Sequence, residues 1–125
     1  MHLDSTSLVP LYQQIADNLR AGILDGRYPE SSQIPSTTQI SRDEQMNPAT
    51  VLKGVNQLVD AGLVEKRRGL GMFVIPGAAE KVKATKRQEF ITIQLQILVK
   101  DAQRLDIGLD DLTNEIREAY RHEED

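Results

Sequence analysis

The chain has 125 residues, of which 39% are hydrophobic, 4% aromatic and 27% charged. This composition predicts one small soluble domain, or a small domain with an appendage, around a modest aliphatic core. Cysteine is absent and the two histidines, His2 and His122, lie near opposite ends, which excludes disulfides, thiolate metal sites and a histidine cluster. No apolar run approaches the roughly 20 residues of a membrane span, and the N-terminus lacks a signal-peptide pattern, so we expect a cytoplasmic protein without membrane partners.

The formal net charge of −4 conceals two segments of opposite sign. Residues 66–87 carry seven basic residues and one acid, whereas residues 101–125 carry nine acids and three arginines. This asymmetry predicts one anion-binding face and one solvated or repelling face. A solvated helix followed by a solvated tail accounts for the charge pattern equally well.

Two helices are predicted in the first 45 residues. The first carries an apolar stripe at four-residue spacing, formed by Leu11, Ile15, Leu19 and Ile23. Pro10 fits its first turn and Gly26 its C-terminal stop. A polar loop follows, and the second helix begins at Ser36, because Ser36 and Gln39 fit a capping box in which each side chain bonds the other's backbone amide.

A third helix is predicted to begin at Asn47 and Pro48, a favoured N-cap and a favoured first helical residue. Its inward stripe is Val51, Val55, Leu58 and Val59. Gly62 ends this helix. Residues 63–67 and 72–75 are short and β-prone, and the glycines between them predict a two-stranded hairpin.

From Ala78 onward the pattern predicts helices. The apolar positions Ile91, Leu95, Leu98, Ala102 and Leu105 recur at helical spacing, with Phe90, Ile93 and Ile97 in an adjacent row. Residues 91–97 also alternate as a half-buried strand would, but the helical spacing continues past the usual length of a strand. Gly108 is expected to end this helix, and Asp110 to cap a last one carrying Leu112, Ile116 and Tyr120.

Three helices followed by a glycine-turned hairpin are the order of a winged helix-turn-helix, in which one helix enters the major groove of DNA and a basic hairpin straddles phosphates. Three motifs are more specific than this order of elements: PLYQQI at residues 10–15, NPATV at 47–51 and RRGLGMFV at 67–74. In this order the chain closely resembles the GntR family of bacterial transcription regulators over residues 8–75. The short remainder resembles the YtrA-type subfamily. The expected fold is therefore mainly α, with a winged helix-turn-helix domain at 1–76 and a helical dimerisation region at 77–125.

The resemblance implies a homodimer that binds a palindromic double-stranded DNA operator, usually as a repressor. Short members of this type are often linked to transporter genes, which the resemblance implies as targets here. It specifies no small-molecule effector. The implied DNA contacts, with Gln39 added as a candidate base reader, are Ser36, Thr38, Gln39, Asn47, Pro48, Ala49, Thr50, Lys53, Arg67, Arg68, Gly69 and Gly71. Thr50 and the backbone near Asn47 would hold phosphate at a helix N-terminus.

The dimer interface is expected in the C-terminal region, because a single further helix is too little to cover its apolar stripe. The expected interface residues are Phe90, Ile91, Leu95, Leu98, Ala102, Leu105, Leu112 and Ile116.

The chain departs from the family pattern at several positions. Thr38 and Leu52 stand where many members have arginine, which leaves Gln39 and Lys53 as candidates for base reading. Gln45 stands where the family has the turn glycine, so a mildly strained positive φ is expected. The family's Pro-Gly in the preceding loop is Glu30-Ser31 here.

Other function classes are less well supported. Nothing resembles a phosphate loop, a nucleophile elbow or a metal-ligand set, so no catalytic residue, metal or cofactor is expected. The serious alternative is a winged-helix module that binds proteins and has lost specific DNA binding, supported by the net negative charge and the missing arginines. Steeply salt-dependent DNA binding would separate the two functions.

Overall fold

The computed structural model describes residues 1–124, and its chain divides into two compact units, Met1–Thr85 and Lys86–Asp125. The elements in chain order are α1 (Leu11–Leu24), α2 (Thr37–Asp43), α3 (Pro48–Asp60), β1 (Val64–Arg67), β2 (Gly71–Val74), α4 (Ala78–Glu89), a π-helical turn (Phe90–Gln94), α5 (Leu95–Arg104) and α6 (Leu109–Glu124). The predicted mainly α class with a winged helix is confirmed. The predicted domain boundary after residue 76 stays a prediction.

The core of the first unit is aliphatic and lies among α1, α3 and the hairpin. Its almost fully buried side chains include Ile15, Leu19, Ile23, Val51, Val55, Leu58, Val64 and Val74. Gly54 lets α1 and α3 approach closely, since a Cβ at this position would lie 2.6 Å from the backbone oxygen of Tyr12. Ala78 and Val82 at the start of α4 belong to the same core. The prediction that Val59 points inward was wrong, because its side chain is 37% exposed.

The helix ends follow the sequence signals closely. The Ser36 side chain caps α2 by accepting from the Gln39 backbone N–H, although the reciprocal bond of the predicted capping box is not formed among the described residues. Asn47 caps α3, and Pro48 is its first residue. The chain leaves α2 and α3 through Schellman motifs, with Gln45 at φ 50° and Gly62 at φ 73° in the left-handed position.

The hairpin pairs β1 with β2 in antiparallel register, from Val64 opposite Val74 to Arg67 opposite Gly71. A segment between α1 and α2, predicted as loop, adds a further edge. Ser31 and Ile34 donate backbone hydrogen bonds to β2, and Gln33 forms a bridge with Phe73. A single bridge leaves no periodic pattern in the sequence. The local sequence therefore could not predict that this segment pairs with β2.

The second unit is helical, and the strand interpretation of residues 91–97 was wrong. This stretch instead holds the π-helical turn at Phe90–Gln94, a rare geometry that adds a residue to one turn of helix. The predicted stop at Gly108 and the predicted cap at Asp110 were also wrong. Helix α5 ends at Arg104, with Asp106 at φ 59° in the left-handed position after it. Helix α6 begins at Leu109, so Asp110 lies in its first turn, where a carboxylate favours the helix dipole. Within residues 1–124, no helix has the length and apolar character to cross a bilayer.

The segment before α1 is fastened to that helix mainly by Gln14, and Asn18 adds a hydrogen bond to the His2 carbonyl. The Gln14 amide accepts from the Asp4 backbone N–H and donates to the carbonyls of Asp4 and Val9, each at 2.8 Å. The carboxylate of Asp4 accepts from the hydroxyl and backbone N–H of Thr6, which lowers the pKa of Asp4 below its ordinary value. Sequence reasoning gave no role to Gln14.

Candidate nucleic-acid interface

The turn between α2 and α3 presents the second helix of the pair. Met46 donates its backbone N–H to Ser41, and Gln45 donates to Arg42, which completes the Schellman motif. At the other end of α2 the side chains of Ser36, Thr38 and Gln39 are exposed. Both ends of α2 are therefore set by local hydrogen bonds, and the predicted contact residues at its start face solvent.

The backbone N–H groups of Ala49 and Thr50, at the start of α3, already have hydrogen-bond partners within the chain. The Asn47 side chain accepts from the Ala49 backbone N–H at 2.8 Å, and the Asn47 carbonyl accepts from the Thr50 N–H at 3.0 Å. The two amides expected to hold phosphate thus have intrachain partners. Among residues 1–124, the half-buried Thr50 hydroxyl makes no side-chain hydrogen bond.

The outward face of α3 borders an open groove of about 460 Å³. Ala49, Leu52, Lys53 and Asn56 lie along it, with Tyr12 of α1 on the opposite side. The Lys53 ammonium lies 3.9 Å from the centroid of the Tyr12 ring, a cation–π contact that draws the charge sideways toward α1. The ammonium of Lys53, a predicted base reader, therefore lies against Tyr12 of α1.

The hairpin of β1 and β2, called the wing, gives its two arginines different surroundings. The Arg67 guanidinium lies 3.2 Å from the Glu65 carboxylate and 4.2 Å from the centroid of the Phe73 ring. Arg68 is exposed, and within residues 1–124 its side chain makes no ion pair or hydrogen bond. Leu70 donates its N–H to the Arg67 carbonyl, so Arg68 and Gly69 form the tip of a tight turn. Gly69 adopts φ 76° there, the left-handed conformation that favours glycine.

The predicted contact residues lie in three places: the start of α2, the start of α3 and the hairpin of β1 and β2. Helix α3, which holds Asn47 to Lys53, packs against both α2 and β1. Together these elements form a helix-turn-helix with a basic hairpin beside it.

Comparison with known proteins decides the family. The family described as "Bacterial regulatory proteins, gntR family" matches residues 11–74, more than half of the chain. The chain belongs to the GntR family.

Individual relatives agree with this assignment. This GntR chain is 28% identical over 121 residues to the transcriptional repressor YtrA of Bacillus subtilis, covering 94% of the chain and 90% of YtrA. It is 32% identical over 74 residues to the repressor STM4068 of Salmonella typhimurium, of which it spans 31%. The predicted YtrA-type resemblance is confirmed.

Solved structures agree as well. A GntR-family structure from Bacteroides thetaiotaomicron superposes with a TM-score of 0.74 at 26% identity, covering 90% of this chain and 97% of that one. A regulator structure from Oenococcus oeni has a TM-score of 0.80 at 17% identity, covering 96% and 98%, which shows the shared fold.

Leu52, Asn56 and Gln33 border the candidate interface of this GntR chain but were not among the predicted contacts, although Leu52 was noted as standing where the family has arginine. Leu52 and Asn56 follow Ala49 at the i+3 and i+7 positions, a spacing that could have placed them on the same face of α3. Gln33 donates its side-chain amide to the Leu70 carbonyl at 2.8 Å and braces the wing. Nothing in the local sequence signals that long-range bond. Gly71 adopts φ 125°, a backbone conformation that residues with a Cβ rarely adopt, which explains the glycine there.

The residues predicted for a dimer interface lie in the second unit. Phe90, Ile91 and Leu105 are 58%, 55% and 71% exposed, and Leu98 and Ile116 are exposed as well. Leu95 and Leu112 are half-buried, whereas Ala102 is buried inside the protomer and offers no surface to a partner. Further large apolar side chains are exposed in the same unit: Ile93, Ile97, Leu109 and Tyr120.

Proposed function

We propose that this GntR-family chain is a transcription regulator that binds a palindromic DNA operator as a homodimer and represses the gene it controls. The observation that carries the proposal is the exposed face of α3 at Ala49, Leu52 and Lys53, in the same unit as the exposed start of α2 and the wing tip at Arg68, whose side chain makes no ion pair within residues 1–124. A helix presented in this way fits the major groove, and a hairpin arginine reaches the phosphates. The repressor activity is suggested by the names of YtrA and STM4068.

A second copy of the chain is the proposed cover for the apolar side chains of the second unit. Several large apolar side chains of this unit are exposed in the single chain, and exposed apolar surface of this kind is typical of an interface. A two-fold dimer buries the same face from both copies, and its symmetry calls for two half-sites about one helical turn or more apart. Control of transporter genes stays a prediction that rests on the family resemblance.

Selection of bound sequences from random duplex DNA tests the proposal. Purified protein is incubated with the pool at about 150 mM salt, where non-specific phosphate binding is already weak. We expect enrichment of a palindrome, and binding to it that falls steeply as salt rises, because phosphate contacts release counterions.

A pair of variants that each add one carboxylate at an exposed position controls the selection. Ala49→Glu places it at the start of α3, where it would repel phosphate, and should abolish enrichment. Gln103→Glu places it on α5, away from the predicted DNA contacts, and should preserve enrichment. Absence of enrichment with the unsubstituted protein, together with no salt-dependent binding to bulk DNA, would overturn the proposal in favour of a protein-binding module.

A further inference from the structure

The outward face of α3, formed by Ala49, Leu52 and Lys53, is the proposed recognition face. Leu52 lies at its centre. Leu52 is 48% exposed, whereas Val51, Val55 and Leu58, which line the other side of α3, are at most 1% exposed. The core of the unit is thus complete without Leu52. Ala49, one turn earlier and also exposed, adds a second apolar group to the same face.

We propose that Leu52, with Ala49 beside it, recognises the 5-methyl group of thymine in the major groove and is a specificity-determining residue. The inference rests on the proposed function. A leucine side chain has no donor or acceptor, so it cannot bond to the oxygen and nitrogen atoms of a base edge. The thymine methyl is the apolar group that the unmodified bases present in the major groove, and contact with it distinguishes thymine from cytosine.

The polar neighbours of Leu52 strengthen this assignment. The ammonium of Lys53 is drawn onto the Tyr12 ring at 3.9 Å. Further along α3, the Gln57 amide donates to Gln13 of α1 at 2.9 Å. Both side chains contact α1. The middle of α3 therefore presents Leu52 to a base pair, and the Lys53 ammonium, which could bind guanine, points toward α1 instead. The recognition face is therefore suited to A·T pairs at this position.

Removal of single methyl groups from DNA tests the inference directly. In the palindrome enriched by selection, each thymine is replaced in turn by deoxyuridine, symmetrically in both half-sites, which deletes the methyl and keeps every hydrogen-bonding atom. At one thymine per half-site we expect binding of the unsubstituted protein to weaken about fourfold per half-site, the equilibrium factor for losing one buried methyl group. Other thymines should change binding by less than about twofold.

Variants at Leu52 assign the effect to its side chain. Leu52→Ala should bind the thymine and deoxyuridine duplexes with nearly equal affinity at the sensitive position. Leu52→Met keeps an apolar chain of similar volume and should retain the discrimination. Lys53→Ala serves as the neighbouring control and should also retain it. Because Leu52 is exposed, the variants are expected to fold, and circular dichroism checks this.

The possible failures separate the two proposals. An enriched palindrome in which no thymine is sensitive, or which contains no thymine in its half-sites, overturns the role of Leu52 and leaves the regulator function standing. Equal sensitivity of the unsubstituted protein and Leu52→Ala has the same consequence. Failure to enrich any sequence overturns the regulator function and this inference together.

Discussion

Arg67 and Arg68 are neighbours in the sequence but have different surroundings in the wing. Arg67 is half-buried between the Glu65 carboxylate and the Phe73 ring, so its guanidinium supports the hairpin. Arg68 lies at the turn with its side chain in solvent. The sequence predicted a basic, glycine-rich tip but could not assign the two roles, because Phe73, one of the two partners of Arg67, lies on the opposite strand.

Arg68→Ala is expected to weaken binding to specific and random duplexes by the same factor. A phosphate contact carries no sequence information, so its loss should lower the slope of log affinity against log salt by about 1. Titrations of both duplexes at several salt concentrations measure this. Arg68→Lys preserves the charge and should keep the slope. A loss confined to the specific duplex would contradict the phosphate role and indicate base reading.

The backbone conformation of Gln45 was predictable from the local sequence. The family's glycine position predicted a positive φ, and the structure places Gln45 at φ 50° in the Schellman turn of α2. The prediction succeeded because the requirement is local: the backbone must reverse there whichever side chain is present.

Gln45→Gly is expected to raise the free energy of unfolding by about 0.5–1 kcal/mol. Glycine removes the clash of Cβ with the carbonyl oxygen in the left-handed conformation, and its larger chain entropy offsets part of that gain. Urea denaturation measures the change. Gln45→Ala keeps the Cβ and should bring no gain. An unchanged or lower stability in the glycine variant would show that the Gln45 side chain compensates for the strain.

The elements themselves were largely predictable from sequence. Ser36, Asn47 and Gly62 marked helix ends within a residue, because caps and stops act on the adjacent backbone. The edge at Gln33 and the π-helical turn were not predictable. Each depends on contacts or geometry that no periodic pattern encodes.

The packing of α1 on α3 gives a test at this scale. Gly54→Ala would be stabilising by helix propensity alone. The contact with the Tyr12 backbone oxygen reverses the sign, since a Cβ would come within 2.6 Å of it. We expect a loss of about 1–3 kcal/mol in the free energy of unfolding, typical of overpacking. Asn56→Ala, on the exposed side of the same helix, should change stability by less than about 0.5 kcal/mol. A stabilised Gly54→Ala variant would contradict the close approach.

At the scale of the whole molecule, the sequence predicted an apolar stripe in the second unit, and the structure leaves most of its members exposed. The proposed cover is a second copy of the chain, which neither the sequence nor a single chain contains. Ala102 illustrates the limit, because its spacing matches the stripe although its side chain is buried within the protomer.

Leu98→Glu is expected to convert the dimer into a monomer. A carboxylate in an apolar interface would have to be desolvated without a partner. Sedimentation velocity should report half the mass of the unsubstituted protein, and affinity for a palindromic duplex should fall toward that of a half-site. Lys100→Glu, an exposed change of charge on the same helix, should leave the mass unchanged. A monomeric unsubstituted protein, or a dimeric Leu98→Glu variant, would contradict the proposed assembly.

The contact between Lys53 and Tyr12 has an optical consequence. The chain has no tryptophan and three tyrosines, so its ultraviolet emission comes from tyrosine alone and is not masked. One of the three emitters borders the recognition helix with an ammonium group 3.9 Å from its ring. DNA docked beside this contact changes the surroundings of the Tyr12 ring, and with them its emission, without any attached dye. The protein thus carries its own fluorescent reporter beside the surface proposed to meet DNA.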